Sequence, residues 1–208
     1  MQIKHVLRIL TAAIAFGSFC SCMPLSSMQT ARTTDKGTFA FGGTYGVATR
    51  DGDGFPTVEG SVRYGILDRW DAGFKIDVWG LMYLDTKLQF VGDRHSTFAA
   101  STGAGLGFCD LGIDDKTNYY HLAAPLYLSY HPASWLGLYC NPRYVHEIKY
   151  LDNGDNPNTL KQGDYAGSAI GTRIGKRWAF VAEYSFLLNL YENEKFTQMS
   201  IGIVKGIN

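Results

Sequence analysis

Thr57-Val58-Glu59-Gly60-Ser61-Val62-Arg63-Tyr64-Gly65-Ile66 alternates over its whole length. Val58, Gly60, Val62, Tyr64 and Ile66 fall on one side, and Glu59, Ser61, Arg63 and Gly65 on the other. Successive side chains of a strand point to opposite faces, so this stretch has one apolar and one polar face. At about ten residues, apolar-out and polar-in alternation is the pattern of a strand that crosses a membrane in a closed barrel.

About ten such segments fill the chain after residue 36. The expected strands are Gly37–Thr49, Thr57–Ile66, Trp70–Trp79, Met82–Gly92, Thr97–Phe108, Tyr119–His131, Trp135–Ile148, Tyr165–Gly175, Trp178–Leu190 and Phe196–Lys205. The expected fold is all-β, an antiparallel up-and-down transmembrane barrel. Connections after the even strands are short, as in Leu67-Asp68-Arg69, Asp93-Arg94-His95-Ser96, Pro132-Ala133-Ser134 and Lys176-Arg177. The others are longer, with Asp51–Pro56, Asp110–Asn118 and Leu151–Asp164 among them. Outer-membrane barrels have short periplasmic turns and longer external loops. The alternation therefore fits an even strand count and a barrel domain over residues 37–208. Asp51-Gly52-Asp53-Gly54 superficially matches a calcium loop but lacks the remaining ligands and the terminal glutamate.

Charges sit on the polar faces. They are Glu59, Arg63, Asp71, Lys75, Asp77, Asp85, Lys87, Arg143, Glu147, Arg173 and Glu183. A charge on the lipid face costs roughly 2–4 kcal/mol near the midplane, so these are expected to line the lumen. Ten strands lie near the width that side chains just fill. A mixed-charge, largely occluded lumen follows. Ala99, Ser101, Gly103, Gly105 and Gly107 should turn inward and make room for Tyr119, Tyr127 and Tyr139. Trp70, Trp79, Trp135 and Trp178 stand at strand ends, where an aromatic girdle is expected.

The first residues, 1–21, read as an export signal. Lys4 and Arg8 precede an apolar stretch from Ile9 to Phe19 that is too short to span as a helix. Phe19-Cys20-Ser21-Cys22 resembles the end of a bacterial lipoprotein signal. That resemblance implies cleavage before Cys22, lipidation of Cys22 and delivery to the outer membrane. Residues 22–36 lack an apolar period and are expected to form a tether.

The chain as a whole resembles bacterial outer-membrane β-barrel proteins with a lipoprotein-type signal, in the small OmpA/OmpX-like architecture. Carrying the resemblance are Cys22, Met28-Gln29-Thr30-Ala31-Arg32, and hairpins such as Arg63-Tyr64-Gly65-Ile66-Leu67-Asp68-Arg69-Trp70-Asp71-Ala72-Gly73. Many such barrels end in an aromatic residue, whereas this sequence ends Gly206-Ile207-Asn208.

Composition narrows function further. The 208 residues carry 19 basic and 19 acidic side chains, so nothing points to nucleic acid. Cys109 and Cys140 fall on strands separated by a third. Their α-carbons would lie roughly two 4.8 Å spacings apart, beyond the reach of a disulfide, about 7 Å. No paired Cys/His spacing suggests a metal, and no cofactor is expected. Catalysis at an outer rim would need a histidine near a serine or carboxylate. The candidates are His121, His131, Ser129, Ser134, His146 and Glu147, with Asp110 or Asp114 near His121. His131 and Ser134 fall at the periplasmic end, His146 and Glu147 on opposite faces, so no enzyme is expected.

The expected role is structural or surface-interacting, in the cell outer membrane. Its partners would be outer-membrane lipid and a small solute or extracellular partner at the loops. Two alternatives remain: a narrow pore for ions or small solutes, and a soluble lipocalin-like lipoprotein with the alternation inverted around a hydrophobic ligand.

Overall fold

The computed structural model describes residues 26–110, 116–152 and 159–205. Ten strands run in chain order: β1 Phe39–Arg50, β2 Asp53–Leu67, β3 Trp70–Asp77, β4 Met82–Val91, β5 Phe98–Asp110, β6 Lys116–Ala133, β7 Leu136–Asp152, β8 Thr159–Gly175, β9 Trp178–Asn189 and β10 Lys195–Lys205. Each pairs antiparallel with its sequence neighbours. β1 and β10 close the barrel, with Tyr45 opposite Ile201. Up-and-down closure leaves no strand edge unpaired.

Side-chain alternation holds across the apolar band of the barrel wall. In β10, Met199, Ile201 and Ile203 face out, whereas Phe196, Gln198, Ser200 and Val204 are buried. Around the wall, Phe41, Leu84, Leu106, Leu122, Leu138, Ile170 and Phe180 are all exposed. This continuous apolar exterior has the composition of a surface that meets hydrocarbon. Charges turn inward. The inverted, lipocalin-like arrangement is thereby corrected: the barrel holds its polar residues inside.

Two features of the connections differ from expectation. The first hairpin is not a six-residue loop. Asp51 and Gly52 alone make the turn, with φ of 50° and 104°, and β2 starts at Asp53. Positive φ at both central residues is the geometry that Asp-Gly favours in a two-residue hairpin. The second difference is height. β3 and β4 have 8 and 10 residues, close to a membrane crossing. β6, β7 and β8 have 18, 17 and 17, and much of the expected loop sequence becomes strand. Hydrophilic residues beyond the apolar band no longer alternate, yet their backbones go on pairing (Asn118 with Tyr150, Lys149 with Lys161). One side of the barrel therefore rises above the other at the end that carries the long loops.

The opposite end is closed by tight turns. In that between β4 and β5, His95 N–H donates to the Asp93 carboxylate at 2.7 Å, and Ser96 adds two further donors. These bonds hold Asp93 below the usual carboxylate range.

Candidate functional site

The lumen is not filled by wall side chains alone. Residues 26–34, at the start of the stretch expected to be a tether, lie inside it, and Ser26, Ser27, Thr30, Ala31, Thr33 and Thr34 are buried. This part of the expected tether is therefore packed against the barrel wall. A buried main chain must find partners for its N–H and C=O groups. Here the wall supplies them.

Glu183 of β9 accepts from Ser27 N–H at 2.7 Å and Met28 N–H at 2.6 Å, and from the Ser27 hydroxyl at 2.9 Å. Tyr139 and Ser185 hold the same carboxylate from the side. Asn141 donates to the Gln29 carbonyl at 2.8 Å and to the Ser27 hydroxyl. Lys87 donates to the carbonyls of Thr30 at 3.1 Å and Arg32 at 2.9 Å. Ala31 N–H donates to Ser129 at 3.2 Å, while Ser101 donates to the Ala31 carbonyl. Thr33 N–H reaches Gln89 at 3.1 Å and Thr34 N–H reaches Asp71 at 2.7 Å. Lys75 donates to the Ser26 carbonyl and hydroxyl.

Several of the expected lumen charges form this cradle. Arg63 bridges Asp85, at 2.6 Å, and Asp71. Lys87, wholly buried, lies 3.7 Å from Asp71. Lys75 pairs with Glu59 at 3.1 Å, and Ser26 also donates to Glu59. A carboxylate or ammonium this deep is tolerable only when paired and hydrogen-bonded. The peptide completes what the ion pairs leave open.

Four of the expected residues do other work. Asp77 caps the β3–β4 turn, accepting from Trp79 N–H at 2.8 Å and Leu81 N–H at 2.9 Å. Arg173 donates to the carbonyls of Gly175 and Lys176 at the short-turn end. Glu147 lies 3.8 Å from His121, towards the long-loop end. Arg143 lines a small cavity with Ser26, Lys75 and Tyr127. Trp70, Trp135 and Trp178 are exposed near the short-turn end, and Trp79 sits at the other. Trp70 donates to Thr86 and Trp79 to the Pro56 carbonyl. Cys140 is a free thiol and Cys109 is disulfide-bonded, so the two are not joined to each other. Residues 1–25, with Cys22, and Asp114 lie outside the described residues.

Above the cradle the lining changes. Ala48, Phe55, Ala123, Val145, Tyr165, Leu187 and Phe196 form one buried cluster, with Tyr83 against it. Every one lies in the long-loop half of its strand. Two cavities beside the segment measure about 30 Å³ and about 20 Å³, enough for a water or two each.

The histidine candidates do not assemble a catalytic group. His131 meets Ser129 at 3.0 Å, but the pair is buried beneath Ala31. His146 bonds Asp164 at 2.7 Å on the outer face, whereas Glu147 points inward. No group of metal-ligating residues occurs among the described residues. Sequence reasoning missed Asn141 altogether, while Gln89 and Ser101 were read only as inward-facing residues and Ser129 only as a catalytic candidate. Their signal was inward placement on the polar face, without charge to draw notice.

No family model matches the sequence, and no curated protein matches it. Among solved structures, the chain is similar to Ail, the attachment invasion locus protein of Yersinia pestis, with 10% identity and a TM-score of 0.41, covering 82% of this chain and 98% of that one. Neisserial surface protein A gives 12% identity and a TM-score of 0.41, covering 81% and 95%. The N-terminal β-barrel domain of Pseudomonas aeruginosa OprF gives 12% and 0.36, covering 83% and 99%. At such identities and scores the likeness concerns the barrel alone.

Proposed function

We propose that this chain is an integral outer-membrane barrel, plugged by its own N-terminal segment, with a structural or surface-interaction role. The short-turn end faces the periplasm and the tall β6–β8 wall rises outside. Residues 1–21 serve as the export signal and Cys22 as the acylated residue. The four tryptophans, with Tyr64, Tyr130 and Tyr150, anchor the barrel at the two interfaces. The observation that carries the reading is the hydrogen-bonding of residues 26–34 by Glu183, Lys87, Asn141 and Asp71 across the lumen. An ion would have to break several of these bonds to pass. The mixed-charge lining thus serves a peptide rather than a solute, which weighs against the narrow-pore alternative. Recognition at the raised wall is the activity assigned to the external face, and its partner is a solute or macromolecule outside the cell.

Single-channel recording in planar bilayers tests the plug. The full chain should be silent, and a chain lacking residues 26–34 should conduct steadily. Steady conductance by the full chain, lost on neutralising Lys75 or Arg143, would overturn the reading.

A further inference from the structure

The short-turn end of the barrel is not uniform in charge. Over one part of it each base has an acid beside it. Arg94 pairs with Asp35, Lys36 follows Asp35, and Arg69 follows Asp68. From the β6–β7 turn round to the end of β10 that balance is lost. Residues 132–136, 175–180 and 203–205 include Lys176, Arg177 and Lys205 but no acidic side chain. Among the described residues, none of these three cations forms an ion pair.

The fold sets the three together. Lys205 stands opposite Trp178 in the β9–β10 register, and its ammonium lies 5.3 Å from the centre of that indole. It continues the outward face of β10 formed by Met199, Ile201 and Ile203. The turn between β8 and β9 is clamped from the lumen side, where Arg173 donates to the carbonyls of Gly175 at 3.2 Å and Lys176 at 2.9 Å. Gly175 has a φ of 131°, and a Cβ there would lie 2.1 Å from the Trp178 carbonyl oxygen, so the reversal needs glycine. The side chains of Lys176 and Arg177 are left exposed. Gly175 N–H donates to the Trp135 carbonyl at 2.7 Å, which brings a second exposed tryptophan alongside.

We propose that Lys176, Arg177 and Lys205, flanked by Trp178 and Trp135, bind the phosphate of an anionic phospholipid headgroup in the leaflet at the short-turn end. The inference rests on the integral-barrel reading, and the orientation given with it makes that leaflet the periplasmic one. The geometry favours a lipid over a soluble anion. Lys205 shares its face with residues that meet hydrocarbon, and a lysine so placed carries its ammonium to headgroup depth. Indoles settle at the same depth. A phosphate there meets the cations while its acyl chains lie along Ile201 and Ile203. A zwitterionic headgroup would bring its own ammonium against three positive charges, so a net anionic one is preferred.

The test titrates the full chain, folded in a non-ionic detergent, with phosphatidylglycerol or phosphatidylcholine and counts bound lipid by native mass spectrometry. The first phosphatidylglycerol should bind about tenfold more tightly than the first phosphatidylcholine, each cation contributing up to about fivefold. Lys176→Gln, Arg177→Gln and Lys205→Gln together should bring the two lipids level. Lys176→Arg with Lys205→Arg should keep the preference, as should Lys161→Gln with Lys195→Gln at the long-loop end. In parallel, the chain is floated with phosphatidylcholine vesicles after an alkaline wash. A chain stripped from the vesicles overturns the integral reading, and the inference with it. A chain that stays in the vesicles but binds both lipids alike overturns the headgroup site alone. Sedimentation with isolated cell-wall sacculi, lost in the triple variant, in place of a lipid preference would also overturn it and assign the patch to the wall.

Discussion

In the short-turn half of the lumen, charged wall residues face a peptide; in the long-loop half, apolar wall residues face one another. Arg63, Asp71, Asp85 and Lys87 form the lower layer, and Ala48, Val145, Leu187 and Phe196 the upper one. The two layers are held together by different means. The upper layer gains by burying hydrocarbon. Buried ion pairs gain little net stability, since their desolvation offsets their attraction. Their value in the lower layer lies in holding a main chain whose N–H and C=O groups would otherwise be stranded. The lower half should therefore depend on residues 26–34, and the upper half should not.

Removing residues 26–34 should have the largest effect. Glu183, Lys87 and Asp71 each lose partners, and an uncompensated buried charge costs about 3–5 kcal/mol before water enters. The urea midpoint of the folded barrel in lipid vesicles, followed by tryptophan fluorescence, should fall by more than in any point variant. An unchanged midpoint would mean that the two halves are equally self-sufficient.

Next comes Glu183→Leu. Five donors converge on this carboxylate, from Ser27, Met28, Tyr139 and Ser185. A stranded buried donor costs about 1–3 kcal/mol, so a loss of about 3–5 kcal/mol is expected in the full chain. In the chain without residues 26–34, three of those donors are gone and the same substitution should cost clearly less. Equal costs in both chains would uncouple the wall from the peptide.

Leu187→Ala probes the other half. Emptying its fully buried site should cost about 2–4 kcal/mol. Here the cost should be the same with or without residues 26–34, within about 0.5 kcal/mol, as for independent sites. Coupling of the kind expected at Glu183 would show that the layers are one unit.

Much of this barrel can be deduced from the sequence, because lipid on one side and a lumen on the other force an alternation that each strand repeats. The inward charges follow from the same constraint. Residues 26–34 escape it. Ser26, Ser27, Thr30 and Thr33 have no periodicity and look like linker, because it is their backbone that the wall binds. The information for that burial is dispersed over Glu183, Asn141, Lys87 and Gln89, far apart in sequence. The outer reaches of β6 to β8 were hidden for a related reason: above the membrane, strand pairing persists after the apolar alternation has stopped. Asp77 has an inward charge's sequence signature but serves a turn, since it is the last residue of β3.

The smallest effect expected is at Gly65, where the segment leaves the lumen for β1. A Cβ on this residue would lie 2.1 Å from the Asp35 carbonyl oxygen, and no side-chain rotation relieves a clash with backbone. Gly65→Ala must push residues 34–36 away from β2, breaking the bridge from Lys36 and straining the Thr34–Asp71 bond. Overpacking of this kind costs about 1–3 kcal/mol. In the chain without residues 26–34, Asp35 is no longer anchored from above and can move aside, so the cost should nearly vanish. Comparing urea midpoints for Gly65→Ala in the two chains measures how firmly the lower half grips its peptide. If the penalty is the same in both, the junction at Lys36 holds by itself and the grip begins only at Asp71, one step further into the barrel.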